Sequence, residues 1–195
     1  MRYLKAADHR RMAWKNGKGE TAEITVFPED AGLEEFGWRL SMATVTEPGP
    51  FSSFADIDRV LAIVDGDGLR LSIDGDSVNV TPKGTAAAFA GDAVVASDLL
   101  GGPVTDLNLM TRRGQFRGRI DRVGGSERAE IVPEGAACVI LALASCMVAG
   151  GGETFALARL DVVMAERWEE TMVATGPDGL DLLVVTVLEE TAGSR

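Results

Sequence analysis

Residues 59–90 read RVLAIVDGDGLRLSIDGDSVNVTPKGTAAAFA. Short apolar runs are separated by Asp-Gly steps, the dipeptide that most readily takes the positive φ of a tight hairpin turn. The stretch therefore predicts an antiparallel meander of RVLAIV, LRLSI, VNVTP and TAAAFA. Outward from it, turn signals recur every ten residues or so and helix signals are scarce, the pattern of a sandwich or barrel of short strands. A second series follows at 138–190: CVILALA, GGG, ETFALARLDVVMA, WEETMVA, TGPDG and LDLLVVTVLEE. Its order of strand, glycine turn, strand, link, strand, turn and strand echoes the first, which raises a structural repeat as a hypothesis. No proline- or serine-rich linker divides the two, so one compact unit with two β halves is expected.

At 195 residues, with 46% apolar and 25% charged side chains, the chain can bury a core without disulfide or metal staples. Nineteen basic against 30 acidic residues give a formal charge of −11, a field that repels phosphate backbones and anionic membranes. Neither nucleic acid nor membrane is expected as a partner. The run TRRGQFRGRIDR at 111–122 is either a local positive patch or a rim of arginines paired with nearby acids. Cys138 and Cys146 lie in the apolar segment AACVILALASCMVAG and read as buried free thiols in a reducing compartment, hence a cytoplasmic setting. The charged N-terminus does not read as a signal peptide, and the apolar run 136–149 falls short of a membrane span.

WKNGKGET at 14–21 lacks the spacing of a phosphate loop and leads into strand-like ETAEITVF. One histidine, His9, cannot supply a two-histidine metal site, and no nucleophile elbow accompanies Ser41, Ser52 or Ser53. No metal, cofactor or catalytic residue is assigned. Strand parity is more informative, because side chains two apart share a face. In GWRLSMATV, Arg39, Ser41 and Ala43 share one face; in VTDLNLMTRR, Asp106, Asn108, Met110 and Arg112 do. Two readings fit these polar stripes: a solvent-facing sheet surface, or a barrel lumen lined with hydrogen-bonding groups. In EPGPFSSFADIDRV at 47–60, Phe51, Ser52, Phe54 and Arg59 form an aromatic, serine and arginine cluster suited to gripping a small carboxylate.

Together MAWKNGKGETAEI at 12–24, FGWRLSMATVTEPGPFSSFADIDRVLAIVDGDGLRL at 36–71, and FAGD with DLNLMTRRG at 89–114 resemble the HutD/Ves family. The resemblance implies an all-β, cupin-like double-stranded β-barrel in a bicupin arrangement: one compact unit over 1–195, with an N-terminal half at 1–120 and a C-terminal half at 121–190. It implies a metabolite-binding or regulatory protein associated with histidine utilisation, with urocanate or formiminoglutamate as proposed ligands. Carried onto this sequence, the ligand-binding positions are Trp14, Lys15, Asn16, Thr21, Glu23, Arg39, Ser41, Phe51, Ser52, Phe54, Arg59, Asp106, Asn108 and Met110. One departure is Lys18, which stands where the family usually has the middle of three glycines.

The leading expectation is a metal-independent, cytoplasmic regulator that binds a small carboxylate, with exposed edge strands suited to a homodimer. The alternative is a metal-independent cupin-type enzyme acting on such an acid, with Glu23 or Asp106 as general base. A third option is an interaction module that uses Arg117 and Arg119 on an acidic protein partner.

Overall fold

The structure is a computed structural model that describes residues 1–14, 19–165 and 170–190. Its strands in chain order are β1 (Arg2–Leu4), β2 (Arg10–Ala13), β3 (Gly19–Phe27), β4 (Trp38–Val45), β5 (Gly49–Pro50), β6 (Ile57–Asp65), β7 (Leu69–Ile73), β8 (Asp76–Val80), β9 (Ala87–Ala90), β10 (Val95–Leu99), β11 (Val104–Arg112), β12 (Phe116–Gly124), β13 (Arg128–Ile131), β14 (Ala137–Ala142), β15 (Cys146–Gly150), β16 (Glu153–Leu157), β17 (Val162–Ala165), β18 (Met172–Thr175) and β19 (Asp181–Glu189). Among the described residues one 3₁₀ turn, Ala6–Asp8, interrupts them. Among the described residues no helix is long and apolar enough to cross a membrane.

The chain divides into two units. Among the described residues, the first comprises 10–117 with Glu190, the second 1–9 with 118–189. The first contains a six-stranded sheet in the order β2-β3-β4-β11-β6-β9 and a four-stranded sheet β5-β10-β7-β8; the second contains β1-β17-β14-β19-β12 and β13-β18-β15-β16. The two orders superimpose strand for strand: β4-β11-β6-β9 matches β12-β19-β14-β17, and β5-β10-β7-β8 matches β13-β18-β15-β16. The repeat raised by the strand order is therefore a topological fact, and the architecture is all-β and cupin-like, used twice. The first nine residues depart from the expected N-terminal half, because Tyr3 pairs with Val163 as β1 extends the second unit's larger sheet.

The meander expected at 59–90 is corrected by the sheet assignments. β6 and β9 pair with each other in the six-stranded sheet, while β7 and β8 pair in the four-stranded one. The first Asp-Gly stretch thus carries the chain from one sheet to the other. Only the second is a hairpin: Asp74 and Gly75 have φ of 49° and 96° between Ile73 and Asp76, the two-residue turn whose twist suits antiparallel strands. Alternation cannot tell these cases apart, since both need a tight turn and an inward apolar face.

The difference is testable at the glycines. Gly68 has φ of 119°, and a Cβ there would overlap the Val80 carbonyl oxygen, whereas a Cβ on Gly75 meets nothing within 4 Å. Gly75→Ala is expected to cost about 1 kcal/mol, from the positive φ alone. Gly68→Ala is expected to cost about 2 to 3 kcal/mol, because the overlap displaces backbone as well. Urea unfolding of both variants checks this; equal costs would contradict the sheet-to-sheet crossing.

In the first unit, Leu61, Ile63, Leu69, Leu71, Val80, Val95 and Val104 fill part of the interior. In the second, the interior is apolar throughout the cluster formed by Cys138, Ile140, Cys146, Val148, Val163, Met172, Leu182 and Val184. Cys138 and Cys146 are buried free thiols, and burial pushes Cys138 up to about 11.

Candidate functional site

The first unit's interior is not filled by its apolar cluster. Beside it lies a cavity of about 770 Å³ lined from β3, β4, β6, β10, β11 and the 47–54 loop. Antiparallel register explains its composition. Asn108 of β11 sits opposite Ser41 of β4, and Met110 lies between Arg39 of β4 and Arg59 of β6. Asp106 lies between Ala43 and Ile63. Both polar stripes therefore point into the interior: Arg39, Ser41, Arg59, Asp106 and Asn108 are all buried, Asn108 the most exposed of them at 7%. Of the two readings of these stripes, the lumen is the one realised.

Arg39 and Arg59 are committed differently. Arg39 donates from Nε to Glu23 Oε2 at 2.6 Å, a buried ion pair. Arg59 is 5% exposed and has no acidic partner within 4.0 Å among the described residues. Its Nε and Nη1 reach the Asn108 side-chain oxygen and the Ser52 carbonyl only at 3.4 Å, long for such bonds. Instead the guanidinium lies 4.9, 5.9 and 5.2 Å from the ring centroids of Phe51, Phe54 and Phe89. Burial lowers its pKa to about 10, with Asp106 opposing the shift and Arg39 adding to it. It remains a cation at neutral pH.

Asp106 is 1% exposed, and its Oδ1 has no hydrogen-bond partner among the described residues. Burial raises its pKa to about 7 against the pull of Arg59. At the mouth, Trp14 donates its indole N–H to Thr21 Oγ1 at 2.8 Å. Gly19 permits this, since a Cβ there would lie 2.9 Å from the Trp14 ring and overlap the Thr44 carbonyl. Among the described residues no group of three or more His, Cys, Asp or Glu side chains comes together to hold a metal ion.

Of the expected site residues, Trp14, Thr21, Arg39, Ser41, Phe51, Ser52, Phe54, Arg59, Asp106, Asn108 and Met110 line the cavity. Glu23 stands behind Arg39 rather than in the wall. Lys15 and Asn16, like Lys18, lie outside the described residues. Arg112, although on the Asp106 stripe, leaves the cavity and donates to the carbonyls of Glu34 and Phe36. Sequence reasoning missed Met12, Leu33, Val45, Glu47, Pro50 and Ser97 as lining residues. Val45 was recoverable from parity with Arg39 and Ser41, but Ser97 comes from the facing sheet and carried no signal. The arginines at 111–122 are largely engaged with acids: Arg113 with Asp58 and Asp92, Arg119 with Asp121 and Glu134, Arg122 with Asp181.

A cupin-like repeat with a cavity bearing buried arginines in its first unit defines the class. The fold recurs in solved structures at 6 to 11% identity with TM-scores of 0.57 to 0.68, a likeness of fold alone. The HutD family profile matches residues 6–180, and the chain belongs to that family. It is similar to HutD from Pseudomonas fluorescens SBW25, solved in a formate condition, at 30% identity and TM-score 0.81 over 97% of this chain and 99% of that one. It is 41% identical over 128 residues, 66% of this chain and 67% of the relative, to an uncharacterized 21.2 kDa Pseudomonas putida protein of the hutC 3′ region. Protein Ves of Citrobacter koseri is 35% identical over 55% of this chain, which spans only a little over half of that relative, 56%.

Proposed function

We propose that the chain is a metal-independent regulatory protein of histidine utilisation that binds a small carboxylate such as urocanate or a formiminoglutamate-like acid. The observation that carries this reading is Arg59, a buried cation at a cavity wall with no acidic side chain within 4.0 Å among the described residues. Burying an unpaired charge costs several kcal/mol, so an anion that enters and accepts from its unused N–H donors recovers part of that cost. A guanidinium offers two parallel donors to a carboxylate. The surrounding acidic surface disfavours polyanions, which selects small acids. The hut naming of relatives supports the pathway, and the buried thiols suit a reducing, cytoplasmic setting.

The test is a thermal-shift screen of purified protein against urocanate, formiminoglutamate, formylglutamate, glutamate, histidine and a nucleotide control, with calorimetry on hits. A ligand at a hundred times its Kd adds about 2.7 kcal/mol to the folded state, an easily read shift. Arg59→Met, which keeps an apolar side chain among the three phenylalanines, and Arg59→Glu are both expected to weaken a hit about a hundredfold. Unaltered binding in both variants would refute the assignment.

A second reading rests on Asp106, whose carboxyl titrates near neutral pH and so suits a general base. Under it a bound acid is converted, which proton NMR of a long incubation detects. An unchanged ligand spectrum removes it.

A further inference from the structure

The buried carboxyl of Asp106 has no use in a site that only grips a carboxylate. An acid held at Arg59 is repelled by a second carboxylate in the same cavity, so Asp106 is at best a burden there. Yet it is aimed inward from a central strand, between Ala43 and Ile63, with Oδ1 unpartnered among the described residues. The neighbouring wall groups do not reach it: Thr21 accepts from Trp14, Ser41 lies near the Arg39 guanidinium, and Asn108 lies near that of Arg59. Buried acceptors are normally satisfied, and this one, covered beside the cavity and without a partner among the described residues, calls for a donor that those residues do not supply.

We infer that Asp106 is a second ligand anchor, taking an N–H donor of the acid whose carboxylate sits at Arg59. The inference rests on the carboxylate reading above and narrows its ligand class to small acids that carry a nitrogen donor. Arg59 leans along β11 to Asn108, one two-residue step from Asp106, so the carboxylate and the N–H are separated by roughly 7 Å. A simple dicarboxylate or a fatty acid places no N–H at Asp106 and is discriminated against.

The experiment compares acids with analogues in which oxygen replaces N–H at nearly constant shape. The pairs are urocanate with 3-(2-furyl)acrylate, and N-acetylglutamate with O-acetyl-2-hydroxyglutarate, titrated by calorimetry at pH 6 and pH 8. In wild type at least one nitrogen acid is expected to bind ten- to a hundredfold tighter than its oxygen analogue at pH 8, the range for a hydrogen bond to a charged group. For the N-acetylglutamate pair, whose amide does not titrate in this range, the gap narrows at pH 6, where Asp106 is protonated and no longer accepts as an anion. The charged groups around it are Arg59 from β6, Arg39 from β4, Glu23 from β3 and Glu47 at the rim. Loss of the pH dependence in Asp106→Asn, which keeps the side chain's size, assigns it to Asp106. Asp106→Ala is expected to bind both members of a pair equally, while Arg59→Met loses both.

Equal affinities within every pair in wild type, or a gap that survives in both Asp106 variants, would overturn the second anchor and leave the carboxylate site standing. If no acid of either kind binds, the carboxylate site falls and the anchor with it.

Discussion

Asp106→Asn is expected to gain on wild type by about 3 to 4 kcal/mol between pH 4 and pH 8. The carboxyl of Asp106 rises on folding from an ordinary 3.8 to about 7, because burial disfavours its charge more than Arg59 favours it. The folded state then binds more protons than the unfolded state between those values. For a group raised in this way, the contribution is fully present below about 3.8 and is lost as pH rises through about 7. At about 1.4 kcal/mol per tenfold in proton affinity, the full span is worth roughly 4 kcal/mol. The asparagine has no such span. Its own unpaired amide costs a constant amount that cancels when the two stability profiles are compared across pH. Asp92 and Asp161 shift downward and so lose stability as pH falls, but they do so equally in both proteins. Urea unfolding at four pH values measures the difference; a flat difference would mean that Asp106 ionises freely in the folded protein. The size of this effect also says why the residue is informative. A chain of ordinary marginal stability gives up a sizeable fraction of it at neutral pH to retain a buried acid.

The β class, the repeat of strand order and two walls of the cavity were legible in the sequence because each depends on local periodicity. Turn dipeptides and alternating apolar residues define short strands wherever they occur. Arg39 and Ser41 share a face for the same reason that Asp106 and Asn108 do, so two walls of the site followed from parity. Which face was inward did not, since a polar stripe reads the same on a solvated sheet. That was decided by partners distant in sequence: Asn108 opposite Ser41, and Met110 between two arginines. Sheet membership was illegible for a related reason. The turn at 65–68 and the turn at 74–75 use the same residues, and only long-range pairing makes one a crossing and the other a hairpin. Two register shifts were also invisible. One lies between Glu23 and Thr25, the other between Thr105 and Asp106, so both Glu23 and Asp106 adjoin an irregularity in their ladders. Such bulges re-aim side chains near functional sites and leave no reliable mark in composition. Finally, the second unit repeats the strand order without the chemistry. Along β14 and β19 the interior pairs are Cys138 with Thr186, Ile140 with Val184 and Ala142 with Leu182, none of which carries a charge.

Glu23→Gln is expected to destabilise the protein by about 3 to 5 kcal/mol while tightening its hold on dicarboxylates. The Arg39 and Glu23 side chains are 7% and 16% exposed, and their 2.6 Å bond is the principal reason a second cation can be buried beside Met110. Neutralising Glu23 strands the Arg39 charge, and removing one partner of a buried pair costs far more than the pair contributes. The double variant Glu23→Gln with Arg39→Met carries no stranded charge and is expected to recover most of the loss, so a double-mutant cycle isolates the pair from general damage. The functional half follows from the row Arg39, Met110, Arg59 across three adjacent strands. In wild type Glu23 occupies Arg39 and leaves Arg59 as the cation open to an anion; in Glu23→Gln both are open on the same wall. Glutarate should then bind about tenfold tighter than in wild type, while a monocarboxylate of similar length changes less. If the variant loses stability without this gain, Arg39 is walled off from the cavity by its remaining contacts. If it gains affinity for both kinds of acid alike, Glu23 sets the overall potential of the site rather than the number of carboxylates it accepts.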